Sequence, residues 1–532
     1  MMGIQPARLE AKTYDYLIEN AVIFDGVSLK EFRGDVAIQK GRIAAVGNLG
    51  ASRAKKIIDA QGLALAPGFI DAHTHSDFNP LLYPNLPDKI LQGVTTEVTG
   101  NCGMSAAPVL GAHRKHIQSV WAREGAAVED IPWNTFSEYR RYLEKKGMMT
   151  NFAALVGHGN LRSAVMGLAP RPAGAGEIAE MKKMLAQAMR EGAKGISFGL
   201  VYLPGIFAQE EELVGLCSEA ARHSGVCAFH IRSEGSRLVE AIGEAIRIGR
   251  EAKAAIQISH LKAAGKNNWE KIDQAFDLIE KARGEGLRIE ADAYPYTAGF
   301  AELGVILPDA LYQREDRVSY FRSPLKREGL LSELRRFYAQ KKMNWNNVMI
   351  ASAAGRDYRS FQGKTIQQLA LERNQEPEQI LVDLLADTEF EVSAFSFSQS
   401  PEVVGRVIAK PYVLIGSDSI ADDSPVPHPR AYGSFPKVLK EYVRQEKKIR
   451  LNEAVQKMTS RAALHFGLRK RGQIKAGFFA DLVLFDAEKI ADLATYENPK
   501  AFSRGVEWVF INGWPVVEKG KFTGAKRGAL IS

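Results

Sequence analysis

Along the middle of the chain, two patterns of apolar residues alternate. Short, continuously apolar runs of the fully buried kind lie at 69–72, 94–98, 153–156, 195–200, 226–231, 255–259, 287–293 and 412–416. Stretches 178–190, 210–222, 238–252 and 269–283 instead carry apolar residues at three- and four-residue steps, the period of a helix with one buried face. Strands alternating with such helices build a parallel sheet, and eight of them favour a closed (β/α)8 barrel over an open doubly wound sheet. Residues between about 300 and 400 break the rhythm and read as an insertion over the barrel mouth. Near the start, 16–24, 34–39 and 43–46 favour β structure, the last two separated by Lys40-Gly41. Near the end, 482–485, 508–511 and 514–518 match them, the last two joined by the strong hairpin turn Asn512-Gly513. The expected fold class is α/β: a TIM barrel over 67–454, plus a small β-sandwich-like domain assembled from 14–66 and 455–532.

Composition narrows the classes. At 532 residues, 45% hydrophobic and 25% charged, the chain has an ordinary globular make-up, which excludes wholesale disorder and fibrous structure. The formal net charge of +8 is spread along it. Runs 447–450 and 469–471 are denser in Lys and Arg but have no interleaved aromatics and no nucleic-acid motif, so a solvated face is expected for both and no nucleic-acid partner. A positive field suits a small anionic substrate. Three cysteines, Cys102, Cys217 and Cys227, cannot form a disulfide framework, and the odd count points to a reducing compartment. Residues 1–16 lack the apolar core of a signal peptide, and no apolar run reaches the ~20 residues of a membrane span. A cytoplasmic protein with no membrane partner is expected. No pattern in the chain reports on oligomeric state.

In such a barrel the working residues sit at the C-terminal ends of the strands. The first run ends in Asp71-Ala72-His73-Thr74-His75, and alternation along a strand turns both imidazoles to one side. The fifth ends in His230 and the sixth in His260, one βα unit apart; the eighth ends in Gly416-Ser417-Asp418. Four of the ten histidines in equivalent positions, with one Asp, make a metal-site constellation.

These residues and the segments around them resemble the metal-dependent amidohydrolase superfamily and, within it, the N-acyl-D-amino-acid deacylases. The matching stretches are APGFIDAHTHSD, GVTTEVTGNCGMSAAP, GHGNLR, HIRSEG, ISHLKAAG, DAYPYTAG, IGSDS and HPRAYGSFPKVL, with GQIKAGFFADLVLFD near the end. The resemblance implies that Cys102, His230 and His260 hold one tightly bound zinc. It implies that His73 and His75, with Cys102 bridging, form a second, weak or dispensable site. A soft anionic thiolate suits Zn2+. Many relatives bridge two metals with a carboxylated lysine at strand four; this chain has Gly195-Ile196-Ser197-Phe198-Gly199 there, and Cys102 is expected to take that place. Asp418 is the expected general base and acid.

A substrate carboxylate calls for cations: Lys262, two residues beyond His260, and Arg430 in HPRAYG, with Tyr294 or Tyr296 of DAYPY completing a clamp. His158, ending strand three, is a candidate for a supporting or substrate role. His113 and His116 lie in a polar, charged stretch and are expected to be solvated, and Cys217 and Cys227 to be core. His223, His428 and His465 carry no argument of their own. Ser417-Asp418-Ser419 departs from the deacylases' usual SDG, and Asp422 and Asp423 add acids near the mouth. The apolar continuation of strand four, 200–207, favours apolar D-residues if it lines the side-chain pocket.

Three rivals remain in view. The 195–199 segment matches the G-x-S-x-G elbow of serine hydrolases, but LVYLPG follows where a helix is required. The other two are an amidohydrolase acting on a cyclic amide or on a dipeptide, and a non-catalytic scaffold. The reading carried forward is zinc-dependent hydrolysis of an N-acyl-D-amino acid.

Overall fold

The computed structural model describes residues 13–50, 52–123, 130–354, 358–420 and 426–532, so Asp422 and Asp423 lie outside the described residues. Eight strands form a parallel barrel: β1 (Phe69–Asp71), β2 (Val94–Thr99), β3 (Asn151–Ala154), β4 (Gly195–Gly199), β5 (Val226–His230), β6 (Ala255–Ile258), β7 (Ile289–Ala293) and β8 (Val413–Ile415). β1 to β3 pair in order, β4 to β8 pair in order, and the short strand Val156–Gly157 carries β3 on to β4. The ring closes where Ala72 N–H donates to the Ile415 carbonyl at 3.1 Å and Asp418 N–H to the His73 carbonyl at 2.7 Å. Every residue of β4, β5 and β6 is buried. The runs are buried on both faces, so they are continuously apolar rather than alternating.

Helices Ala175–Arg190, Glu210–Arg222, Leu238–Glu251 and Lys271–Gly284 lie where the helical period runs, each with its apolar face on the barrel core. Between β7 and β8 the chain departs into a three-stranded antiparallel sheet, Ala298–Glu302, Val392–Phe397 and Val348–Ala353, with helices such as Pro324–Lys341 and Pro377–Asp387. This insertion has its own apolar core around Leu334, Ile350, Leu381 and Leu385.

Both ends of the chain share one nine-stranded sheet. Ala64–Pro67 pairs antiparallel with Leu482–Phe485, stitching strands from the first 67 residues to strands from the last 51. At the Val506–Ile511 and Trp514–Glu518 hairpin, Asn512 and Gly513 take φ of 51° and 81°, as a tight hairpin turn with two left-handed residues requires. One member of the basic run 469–471 is not solvated. Arg471 is buried and pairs with Asp481 and Asn512, because it sits where this sheet meets the barrel. No helix among the described residues is long and apolar enough to cross a membrane.

Candidate active site

Two donor sets meet at the C-terminal end of the barrel. Cys102, His230 and His260 form one; His73, His75, Cys102 and Asp418 form the other, and within each set the ligand atoms lie within 4.8 Å of one another. Cys102 Sγ is the shared atom, 3.4 Å from both His73 Nε2 and His260 Nε2. Three of these residues, Cys102, His260 and Asp418, have left-handed φ values of 51°, 36° and 53°. Non-glycine residues adopt that conformation at a cost, and such outliers gather at functional sites.

Carboxylates outside the donor sets aim the rings. Asp292, on β7, sits 3.1 Å from His73 Nδ1 and accepts the His260 backbone N–H at 2.8 Å. Glu234 lies 2.8 Å from His260 Nδ1 and also pairs with Lys262. With Nδ1 held from behind, Nε2 of both rings turns to the thiol, the arrangement that orients metal-bound histidines. Neither acid was singled out in the sequence, although Asp292 begins DAYPY and Glu234 lies in HIRSEG.

The donor chemistry fits a zinc ion. Burial pushes the Cys102 thiol up, yet His73 and His260 hold it well below the usual thiol range, leaving a thiolate. Burial opposes protonation of His75 and His260, as Lys262 does for His260. Even so, Asp418 and the Cys102 thiolate, with Glu234 beside His260, raise both to about 9. The cluster therefore calls for positive charge at its centre, which a divalent cation supplies. Among the described residues, buried His230 Nδ1 meets no hydrogen-bond partner, a further mark of a ligand position.

Strand four has no room for a bridging side chain. A Cβ on Gly199 would stand 2.1 Å from the Cys102 carbonyl oxygen, so the turn carrying Cys102 fills the space a lysine there would need. Ser197 is equally spoken for: it is buried in β4, where its Oγ accepts from Gly103 N–H and donates to the Gly100 carbonyl. It has no route to a substrate, and the serine-hydrolase rival falls with it.

Asp418 Oδ1 is 3.3 Å from Nε2 of both His73 and His75, and its Oδ2 is 2.7 Å from Arg430. Burial raises its pKa, but Arg430, His260 and His75 together hold the carboxyl well below its usual range. Arg430 is itself buried, its guanidinium carbon 4.7 Å from the centre of the Tyr294 ring, and it braces Asp418. Ser419, in place of the glycine of SDG, puts its hydroxyl on buried Lys89, which also reaches Ser417 at 2.9 Å and Asp71 at 3.5 Å. The departure from SDG thus anchors the loop that carries Asp418.

Above the cluster opens a cavity of about 970 Å³ whose lining includes His75, Cys102, His230, His260, Lys262 and Asp418. Tyr294 lines it too; Tyr296 does not, because its hydroxyl turns to the Pro429 carbonyl and its ring packs on His428. His158 also stands apart from it, buried against Phe198 and 2.7 Å from Glu212, behind the loop that follows β4. His113 is not solvated: it starts helix His113–Arg123, is buried and bonds Ser163 at 2.7 Å. The sequence stretch is polar, but one side of the helix, with His113 and Ile117, packs inward while Lys115 stays exposed and His116 is half-buried. Cys217 and Cys227 are buried in the core, where the Cys227 thiol reaches the Cys217 carbonyl at 3.9 Å.

A model of the amidohydrolase family matches residues 56–290 and 395–517. The chain is 35% identical to D-aminoacylase of Alcaligenes xylosoxydans xylosoxydans over 98% of each chain. It superposes with a TM-score of 0.85 at 31% identity on N-acyl-D-glutamate deacylase of Bordetella bronchiseptica, solved with zinc and a phosphonate mimic of the tetrahedral intermediate. That match covers 98% of this chain and 100% of the other. At the same coverage, TM-score 0.83 and 35% identity, it matches a D-aminoacylase whose binuclear centre shows one-metal activation and second-metal attenuation.

Proposed function

The chain belongs to the amidohydrolase family, and on that premise we propose that it is a zinc-dependent deacylase that hydrolyses N-acyl-D-amino acids to a carboxylate and a free D-amino acid. The observation that carries this reading is one thiolate shared by two histidine sets beneath a buried, ionised Asp418. The hand of the substrate rests on the relatives.

Cys102, His230 and His260 hold the zinc, with His73 and His75 beside it as the weaker set. Bound there, zinc supplies Lewis acidity, bringing a water's pKa towards ~7 and polarising the acyl carbonyl. Asp418 accepts the proton of the attacking water and later delivers it to the departing amine, the paired duty of a general base and acid. Arg430 keeps Asp418 ionised and fixed for the first of these steps. Lys262 and Tyr294 receive the substrate carboxylate at the cavity wall, and Glu234 holds Lys262 in place. Asp292 and Glu234 fix the rings of His73 and His260.

Cyclic-amide and dipeptide hydrolysis are the neighbouring activities, and blocked Gly199 counts against the lysine-bridged chemistry that the cyclic-amide enzymes usually employ. We place the protein in the cytoplasm, where three free cysteines, one of them a thiolate ligand, stay reduced.

The test is elemental analysis together with release of free amino acid from N-acetyl-D- and N-acetyl-L-methionine. About one zinc per chain with release from the D-isomer alone is the expected result. Activity in metal-free protein overturns the mechanism. Zinc with neither isomer cleaved moves the assignment to cyclic amides or dipeptides.

A further inference from the structure

The G-x-S-x-G segment is no nucleophile elbow, yet its pattern has a place in the fold. Side chains alternate along β4, and Ile196 and Phe198 join the core packed against the helices. Gly195, Ser197 and Gly199 therefore face the barrel interior. Against them lies the turn Gly100-Asn101-Cys102-Gly103, which follows β2 and carries the thiolate shared by both donor sets. The approach is close from either side. A Cβ on Gly103 would stand 2.6 Å from the Gly199 nitrogen, and one on Gly199 would stand 2.1 Å from the Cys102 carbonyl oxygen. Small residues on β4 are what admits the turn.

That turn does not keep its shape by local preference. Gly100, Cys102 and Gly103 have φ of 76°, 51° and 78°, three left-handed residues in four. Glycine takes that conformation freely and cysteine at a cost, so it persists at Cys102 because the surroundings over-determine it. Asn101 Nδ2 donates to the carbonyls of Val98 at 2.8 Å and Thr74 at 3.2 Å, tying the turn to β2 and to the segment of His73 and His75. Gly159 N–H donates to the Gly103 carbonyl at 2.9 Å. Ser197 is the one of these groups that spans the turn. Its Oγ donates to the Gly100 carbonyl at 2.5 Å and accepts from Gly103 N–H at 3.0 Å, closing the turn around Cys102 with a single hydroxyl. Ser197 is fully buried, and its removal strands a buried N–H and a buried carbonyl.

Resting on the assignment of Cys102 as a zinc ligand, we propose that Ser197 is a positioning residue for the metal site. It holds Cys102 Sγ in reach of His73 and His260 before an ion arrives. Strand β4 then serves the metal centre through a hydrogen-bonded turn, without a ligand of its own.

The experiment titrates zinc against a chelator in the unaltered protein, in Ser197→Ala and in Thr388→Val. The last removes a buried hydroxyl that donates to the Leu384 carbonyl in the insertion, and serves as the control for a lost buried hydrogen bond. Ser197→Ala is expected to weaken zinc binding about 10–100-fold and Thr388→Val to leave it unchanged. Zinc is spectroscopically silent, so Co2+ supplies a second readout. Ser197→Ala is expected to weaken and displace the thiolate-to-cobalt charge-transfer band, which a general loss of stability leaves alone. Amide exchange in the unaltered protein decides the matter if Ser197→Ala fails to fold: Gly103 N–H is expected to stay protected after the metal is chelated. Loss of that protection on metal removal overturns the inference and leaves the deacylase standing. So does a folded Ser197→Ala protein with undiminished zinc affinity and an unshifted cobalt band. An unaltered protein that binds no zinc overturns the metal site itself, and the deacylase reading with it.

Discussion

The two donor sets share Cys102 but differ in what an ion must displace. Around Cys102, His230 and His260, the acid in reach is Glu234, already turned to His260 Nδ1 and Lys262. Among His73, His75 and Cys102 sits Asp418 itself, 3.3 Å from both rings. On the proposed mechanism an ion in the first set leaves the proton carrier free. An ion in the second must take Asp418 as a ligand or push it towards Arg430. The set with more ligands is therefore the one whose occupation costs catalysis.

Four substitutions break or sharpen that contrast, taken from the largest effect down. Cys102→Ser removes the only donor common to both sets: zinc content should collapse by elemental analysis, with kcat/KM down by about 10³-fold or more. Retained zinc would separate the two sets. Asp418→Asn should keep the zinc and lose about 10²–10⁴-fold in kcat, measured at saturating substrate; a scaffold protein would lose nothing. Asp292→Asn loosens both His73 and the β6 end, and should cost about 10–100-fold in activity or in resistance to a chelator, read by competition titration. His75→Asn touches the second set alone. It should reduce the rate least and abolish any inhibition by excess zinc, and a loss as deep as that of Cys102→Ser would make the two sets one functional unit.

The ligand histidines and Asp418 stood out in the chain because each ends an apolar run, a position that strand alternation alone makes legible. Lys89, Asp292 and Glu234 did not. Lys89 lies before β2 yet meets Ser417, 328 residues away, and only barrel closure between β8 and β1 brings them together. Asp292 is one acid in a strand until β6 and β7 pair and set it behind two histidines from different strands. Arg430 had two suitors of the same charge, a substrate carboxylate and Asp418, and a pattern of residue types does not distinguish them. The barrel was legible for the reason that its strands are buried on both faces. The buried Arg471 and His113 were not, since a charged run reads as solvated wherever an interface later covers it.

The shared sheet carries a consequence for synthesis on the ribosome. Ala64–Pro67 emerges early, but its partner Leu482–Phe485 follows about 415 residues later. At ~5–20 residues per second, that is a delay of about 20–80 s during which the edge of a nascent sheet waits unpaired. An open edge of that kind recruits other strands, including those of neighbouring chains on the same message. The last strands made therefore complete the first, and until they arrive that edge has no partner within its own chain.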